Sequence, residues 1–440
     1  MNPLLCLLVT SRTYLSWSGE VGLKHDLTGL APAEGASLFQ QSAPQRMSEV
    51  NLAEAEQLSQ KVGGHPLSLR LLGGAFNAST ITLPAFIRDC ETQLLQAENK
   101  YLGPEHRQRT LYACIDTSVR YLDDELRTLL SKLWIFHAPF LPQIAVEICD
   151  PTEEQTEDTR SPVYDQLFAL RQRGLLNLEE TTLREGMVQL YRLLPTIRPY
   201  IEHYLARAEE REQLLARFGK AYAGLVRFLH DELKRSGIAA FMAVQCREDL
   251  ERGMSSVTGV TQGYYLLDWG WVLWRLIDSR HGLALTEQAL EMGQSLAQQS
   301  LKLEALNNLA LVYQGIGQPQ RALALCEQAL PLRREVGDRA GEAATLNNLA
   351  LVYQGIGQPQ RALALCEQAL PLRREVGDRA GEAATLNGLA YLFMDMQHYK
   401  DALTAFEQSV ELEREVNHPA GEVAGLVGLA RLLYQHLNRR

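Results

Sequence analysis

The side chains able to do chemistry fall into few patterns in this sequence. The ten histidines are scattered, and none stands in an H-E-x-x-H context that would place two metal ligands on one helix face. The seven cysteines are Cys6, Cys90, Cys114, Cys149, Cys246, Cys326 and Cys366. None is spaced C-x-x-C, so neither a zinc site nor a redox pair is indicated. The expectation is no catalytic group, no metal and no cofactor. One polar pattern does repeat: Asn307, Asn347 and Asn387 recur at a 40-residue interval. A carboxamide offers a donor and an acceptor together, which is what bonding the backbone of an extended peptide requires. The competing reading is that these amides satisfy helix ends or face solvent.

The elements that position these amides are repeats. Leu306 to Asn347 reads identically to Leu346 to Asn387. Within a copy, Leu303, Leu306, Leu309, Ala310 and Tyr313 form one apolar helical stripe. Gly315-Ile316-Gly317-Gln318-Pro319 breaks it, with glycines for the turn and a proline suited to the first turn of a new helix. A second stripe follows, Ala322, Leu325, Cys326, Ala329 and Leu330, and Gly337-Asp338 ends it. The unit is a helix–turn–helix hairpin. Stacked hairpins form a solenoid whose first helices line a concave face. Off the stripe, Asn307, Asn347 and Asn387, then Leu311, Leu351 and Tyr391, then Gln314, Gln354 and Met394 are expected to face that groove. Asn308 and Asn348 become Gly388 in the third copy, which marks that neighbouring position as less constrained.

This spacing resembles the tetratricopeptide repeat in a form of about 40 residues. Large, large, small, aromatic is matched by Leu306, Leu309, Ala310 and Tyr313, and small, large, small by Ala322, Cys326 and Ala329. The next copies carry Leu346, Leu349, Ala350, Tyr353, Ala362, Cys366 and Ala369, then Leu386, Leu389, Ala390, Phe393, Ala402, Phe406 and Ser409. A degenerate copy lies upstream at Leu266, Trp269, Gly270, Leu273, Gly282 and Ala289. Leu426, Leu429, Ala430 and Leu433 begin a last helix, whose polar end Leu437-Asn438-Arg439-Arg440 suits a solvating cap; the alternative expectation is that the chain is truncated there. The Leu-Asn-Asn-Leu-Ala form is similar to kinesin-light-chain-like repeats. The resemblance implies a concave face that receives a peptide of a partner protein.

The first two hundred residues resemble the NB-ARC module of STAND-type signalling ATPases. Leu7-Leu8-Val9-Thr10-Ser11-Arg12 is similar to its sensor strand, and Gly64-His65-Pro66-Leu67 to its G-x-P-L turn. The resemblance implies that Arg12 reads a terminal phosphate and that Pro66 packs on adenine. The departures weigh more. No G-x-x-x-x-G-K-[ST] occurs, so no P-loop cradles phosphates. In the family the P-loop would lie upstream of residue 1. Arg12 then reads as a solvated arginine and Pro66 as a helix-start proline. Further on, helices over Thr110–Val119, Asp123–Phe136 and Ser161–Arg173, followed by strands Leu175–Leu178 and Met187–Leu193, read as a winged helix. Where the family has a histidine on ADP, Leu194 stands in Tyr191-Arg192-Leu193-Leu194-Pro195.

Charge limits the partners. The chain of 440 residues carries a net charge of −10. Residues 105–205 hold 11 Lys and Arg against 16 Asp and Glu, the opposite of the basic stripe a nucleic-acid reader presents. Arg171 and Arg173 read as part of a solvated face. No segment has the length of a membrane span. An odd cysteine count without a disulfide framework suits a reducing cytoplasm.

The expected fold is mainly α, with a partial NB-ARC helical region and a winged helix followed by an α-α superhelical solenoid. The expected divisions are 1–104, a winged-helix-like 105–205, helical connections over 206–262, and repeats over 263–302, 303–342, 343–382, 383–422 and a partial 423–440. Ala206–Leu233 is expected as one helix, with Trp269, Trp271 and Trp274 in the core of the first hairpin. The expected function is a non-catalytic interaction scaffold that binds a partner peptide, a regulatory piece of a STAND-type protein. The alternative is an ADP- or ATP-dependent switch that uses a P-loop supplied elsewhere. Oligomeric state is left open.

Overall fold

A computed structural model describes residues 29–100, 106–150, 161–233 and 236–437. The expected strand Leu4–Val9 and Arg12 lie outside the described residues. The chain divides into two compact units, 1–121 and 122–440.

The first unit is helical: α1 (Pro32–Gln41), α2 (Leu52–Lys61), α3 (Pro66–Ala78), α4 (Leu83–Lys100) and α5 (His106–Arg120). Local chemistry starts these helices. Asn51 caps α2 by accepting from Ala53 N. Pro66 occupies the first turn of α3, and the His65 ring caps it by accepting from Ser68 N. A proline there sacrifices an N–H that would have no helical partner anyway. The core is aromatic, with Phe76 centred 5.9 Å from Phe39 and 5.5 Å from Phe86. The Arg46 guanidinium lies 4.0 Å over the Phe76 ring and donates to the carbonyls of Phe76, Ser79 and Ile81. Ser118 Oγ on α5 donates to Leu71 O on α3.

The second unit opens with α6 (Asp124–Lys132), α7 (Pro142–Cys149) and α8 (Val163–Gln172), then strands β1 (Leu176–Leu183) and β2 (Gly186–Leu193). The two strands pair antiparallel, with Leu176 opposite Leu193 and Leu183 opposite Gly186. Helices followed by a hairpin are the order of a winged helix. Asp123 caps α6 as expected. That helix stops at Lys132 and tightens into a 3-10 turn over Leu133–Ile135, which buries Leu133, Trp134 and Ile135. β1 runs five residues beyond the expected end at Leu178, because cross-strand pairing continues to the turn at Arg184-Glu185. Arg173 is half-buried, and burial lowers its pKa, so it is not part of a solvated face.

After the hairpin come α9 (Arg198–Tyr200), α10 (Arg211–Glu232), α11 (Gly237–Gln245) and α12 (Arg247–Met254). The helix expected to begin at Ala206 starts at Arg211, after a 3-10 turn over Ala208–Glu210. Glu185 in the hairpin turn accepts from Gly237 N, Ile238 N and Ser236 Oγ, at the start of α11. These donors hold its pKa below the ordinary 4.5. A carboxylate with a lowered folded-state pKa stabilises fully above its unfolded value and loses that contribution as pH falls through the folded one. The Gly237 and Ile238 amides are therefore expected to exchange faster in E185A than in the wild type at pH 6. The difference should shrink as pH falls below 4.5 and the carboxylate takes up its proton, as read by hydrogen exchange.

The remainder is a stack of hairpins: α13 (Gly259–Leu276) with α14 (Ser279–Ser295), α15 (Gln299–Gly315) with α16 (Pro319–Glu335), α17 (Arg339–Gly355) with α18 (Pro359–Glu375), α19 (Arg379–Asp395) with α20 (Tyr399–Glu415), and then α21 (Pro419–Leu437). Each stripe goes inside: Leu306, Leu309, Ala310, Ala322, Cys326 and Ala329 are buried, as are their counterparts Leu346, Leu349, Ala350, Ala362, Cys366 and Ala369. Burial pushes the Cys326 and Cys366 thiols up to about 12, so they behave as small hydrophobes. Ser409, in the third small position, is buried and donates to Ala383 O. Trp269 is fully buried, and the Trp271 and Trp274 rings lie 5.0 Å apart.

Turns repeat one backbone solution. A left-handed residue ends each helix from α14 to α20: Gly317, Gly337, Gly357 and Gly377 in the identical copies, and Ala297, Gln397 and Asn417 at the corresponding places. Glycine accepts that conformation without strain, which is why a helix so often stops there. Ion pairs lock successive hairpins. Asp338 accepts from Gly341 N and pairs with Arg333, and Arg334 and Arg339 both reach Glu342. The next copy repeats this with Asp378, Arg373, Arg374, Arg379 and Glu382. On the last helix Leu426, Leu433 and Tyr434 are exposed, and the expected polar end at 438–440 lies outside the described residues.

Candidate binding groove

The first helices of successive hairpins pack on one another, α13 on α15, α15 on α17, α17 on α19 and α19 on α21. This makes them the inner wall of the curved stack. The pairing brings the expected groove residues into a row, since Asn307, Leu311 and Gln314 on α15 recur as Asn347, Leu351 and Gln354 on α17. On α19 the row continues as Asn387 and Tyr391. All eight are half-buried, as side chains at the floor of an open groove should be. Tyr391 stands edge-on to the buried Phe406, with ring centroids 5.0 Å apart. Met394, expected in the groove, is instead buried with Ala402, Phe406 and Leu432, where its flexible chain fills core space.

The asparagines are not equivalent. Asn348 Nδ2 donates to Asn307 Oδ1 at 2.6 Å across the α15–α17 boundary. The expectation that position 348 is loosely constrained is therefore wrong for this copy: Asn348 is buried and committed. At the α17–α19 boundary the matching position is Gly388, and a Cβ added there would meet nothing within 4 Å. Asn347 thus faces open space where Asn307 faces an amide. Asn387 Oδ1 is buried with no hydrogen-bond partner. At the outer edge, Gln354 Nε2 donates to Asp395 Oδ2 at 2.9 Å. Neither Asn348 nor Asp395 was legible as a groove residue from single positions. The available signal was a 41-residue separation, which pairs 307 with 348 and 354 with 395 across the stack.

The groove closes at one end. In the first hairpin Leu267 and Trp271 hold the places of Asn307 and Leu311, and both are buried. The helix α10 packs on α13. Arg227 on it donates to Asp268 at 3.2 Å and approaches Glu304 at 4.0 Å. Burial raises the Asp268 pKa against the pull of His230 and Arg227. The open groove therefore begins at α15.

Pro66 lies in the first unit at the start of α3, far along the sequence from the groove residues, and its observed role is helix initiation. Among the described residues no group of His, Cys, Asp and Glu is arranged to hold a metal ion. No described helix is long and apolar enough to cross a membrane.

Comparison with known proteins bears on the fold. The model of the tetratricopeptide repeat family matches residues 301–375 and 341–415. No curated protein matches the sequence. Among solved structures, a Signal Transduction ATPase with Numerous Domains (STAND) protein with a tetratricopeptide repeat sensor, from Pyrococcus horikoshii, superposes with a TM-score of 0.53 at 16% identity, covering 93% of this chain and 57% of that one. This chain thus spans little more than half of that protein's length. A Rap protein complexed with competence and sporulation factor gives a TM-score of 0.43 at 14% identity, covering 87% of each chain. Aspartyl phosphate phosphatase F from Bacillus subtilis gives 0.42 at 11% identity, covering 85% of this chain and 78% of that one. The first of these likenesses supports the helical fold over most of the chain, and residues 301–415 are tetratricopeptide repeats.

Proposed function

We propose that this chain is a non-catalytic scaffold that binds an extended segment of a partner protein in the groove of α15, α17 and α19, as a regulatory part of a STAND-type signalling protein. The observation that carries this reading is the row of half-buried Asn, Leu, Gln and Tyr side chains on the inner wall. Polar amides beside apolar side chains are suited to bonding a peptide backbone while burying part of its side chains. A surface meant only for solvent has no need to repeat Leu311 and Leu351 beside them.

The test is a selection of displayed random 12-residue peptides on the full chain. Enriched peptides are expected to lose at least tenfold in affinity to L351R, which places a guanidinium at the groove centre. Enriched peptides that bind L351R and wild type alike would overturn the groove reading. A thermal-shift titration separates the scaffold from a nucleotide switch, because a ligand of the folded state raises the midpoint as its concentration rises. No shift is expected with ADP or with ATP and magnesium up to millimolar concentration. A saturable shift would favour the switch.

A further inference from the structure

Helix α21 is apolar on two opposite faces. One face packs on the stack: Gly425 and Gly428 lie against Val410 and Phe406 of α20, and Leu432 joins the core of Met394, Ala402 and Phe406. The opposite face carries Val423, Leu426, Val427, Ala430, Leu433 and Tyr434, all exposed. At 3.6 residues per turn these six fall within one arc of about 120°. A helix that is apolar all round belongs in an interior. We propose that this stripe packs on the same stripe of a second copy of the chain, antiparallel, about a two-fold axis.

The width of the stripe selects its occupant. Leu426, Ala430 and Leu433 hold the places of Leu306, Ala310 and Tyr313, which pack with Ala322, Cys326 and Ala329 of α16 in their own hairpin. A second helix laid in that place would cover this half of the stripe only. Val427 and Tyr434 hold the places of Asn307 and Gln314, and of Asn347 and Gln354 one repeat later. Where α15 and α17 present amides, α21 therefore presents Val and Tyr. A helix centred on Ala430 covers both halves.

The stripe is complementary to itself. Val423, Leu426, Ala430 and Leu433 follow the a, d, a, d spacing of a coiled-coil seam. In an antiparallel pair an a position of one helix meets a d position of the other. Setting Leu426 against the small Ala430 of the other copy sets Val423 against its Leu433 in the same register, and the two-fold makes each contact twice. The charges stand at the margins. Glu422 is held by Arg414 at 2.6 Å, and Arg431 comes level with Gly425 of the other copy, so no like charges meet. The area suffices as well. Val423, Leu426, Val427, Leu433 and Tyr434 are 58, 41, 57, 52 and 68% exposed. Together they bare about 500 Å², the size at which the largest patch on a monomer is often functional. Two copies would bury about 1,000 Å² through these side chains alone, the lower limit of a specific interface.

Sedimentation equilibrium of the full chain reads the association. The expected result is a reversible monomer–dimer equilibrium with a micromolar dissociation constant. V427E and A430E should each weaken it at least tenfold while keeping the far-UV circular dichroism of the wild type, which separates a lost interface from a lost fold. V427E is the sharper variant, because residue 427 lies outside the half that a hairpin's second helix would cover. Cross-linking reads the direction: V423C mixed with L433C should form an intermolecular disulfide faster than V423C alone. A chain that stays monomeric at hundred-micromolar concentration would overturn the proposal. So would a dimer that is indifferent to V427E and A430E, or a V423C chain that cross-links to itself as readily as to L433C. None of these outcomes touches the groove reading, which L351R tests separately.

Discussion

Asp249→Ala is expected to lower the stability of the second unit by about 3–5 kcal/mol, the usual cost of removing one partner from a buried charged network. Asp249 is fully buried on α12. Its carboxylate accepts from the backbone N–H groups of His137 and Ala138 at 3.0 Å, from Arg252 at 2.8 Å and from the Tyr222 hydroxyl at 3.4 Å. It thereby ties the segment after α6 to α10 and α12. Truncation leaves several buried donors without an acceptor and the Arg252 charge without its counter-ion. Arg252 keeps only its bond to Ile135 O at 2.5 Å and its place near the Phe218 ring. Thermal unfolding of the full chain should show a midpoint lower by about 10 °C. A fall of under two degrees would mean that water replaces the carboxylate. Asp249→Asn refines the test. Burial raises the Asp249 pKa above its ordinary 3.8 despite the donors around it. The folded state then binds its proton more readily than the unfolded chain, so stability attributable to this group rises as pH falls. Wild type should gain on D249N between pH 6 and pH 4.

The importance of Asp249 could not be read from the sequence, which offers only Arg247-Glu248-Asp249 on a helix that looks like connecting material. An acid becomes a structural hub only when other elements bring their N–H groups to it. Here those donors come from 111 and 112 positions away. The same physical limit explains the groove. Its row of amides was legible, because helical periodicity and a 40-residue identity place Asn307, Asn347 and Asn387 on equivalent faces whatever the surroundings. Which amide is engaged was not legible, because that depends on the register between neighbouring hairpins, and register offsets partners by one residue. The single glycine at 388 looked like slack in the pattern; in the folded stack it is the difference between a bridged boundary and an open one. In the first unit the local signals held where they are local: Pro66 begins a helix as a proline at that place should.

The small positions of the repeat pattern, Gly270 and Gly282 in the first hairpin, were also legible, and they lead to the second large expected effect. Gly282→Ala should cost about 2–3 kcal/mol, in the range for forcing extra volume into a packed interface. Gly282 on α14 faces Gly270 on α13, and a Cβ at 282 would come within 2.5 Å of both Gly270 O and Trp274 N. Both obstacles are backbone, so no rotamer change relieves them. The helices must part by about 1 Å to restore ordinary contact, and dispersion falls steeply over such a gap. What parts with them includes Thr286, which lies against Gly270 and whose Oγ1 donates to Gly282 O. The first hairpin also carries α10 through Arg227 and Asp268, so the loss should spread into both elements. Gly388→Ala is the matched control, because it makes the same chemical change in a helix where a Cβ meets nothing within 4 Å. There alanine only removes glycine's backbone freedom, and stability should rise by about 0.5–1 kcal/mol. Denaturant unfolding of the two variants against wild type reads both. Opposite signs would show that the space across the helix, and not glycine's presence in it, sets the outcome. A loss of similar size at both positions would mean that the gap beside Asn347 is narrower than the structure makes it, and the open boundary at Gly388 would close with it.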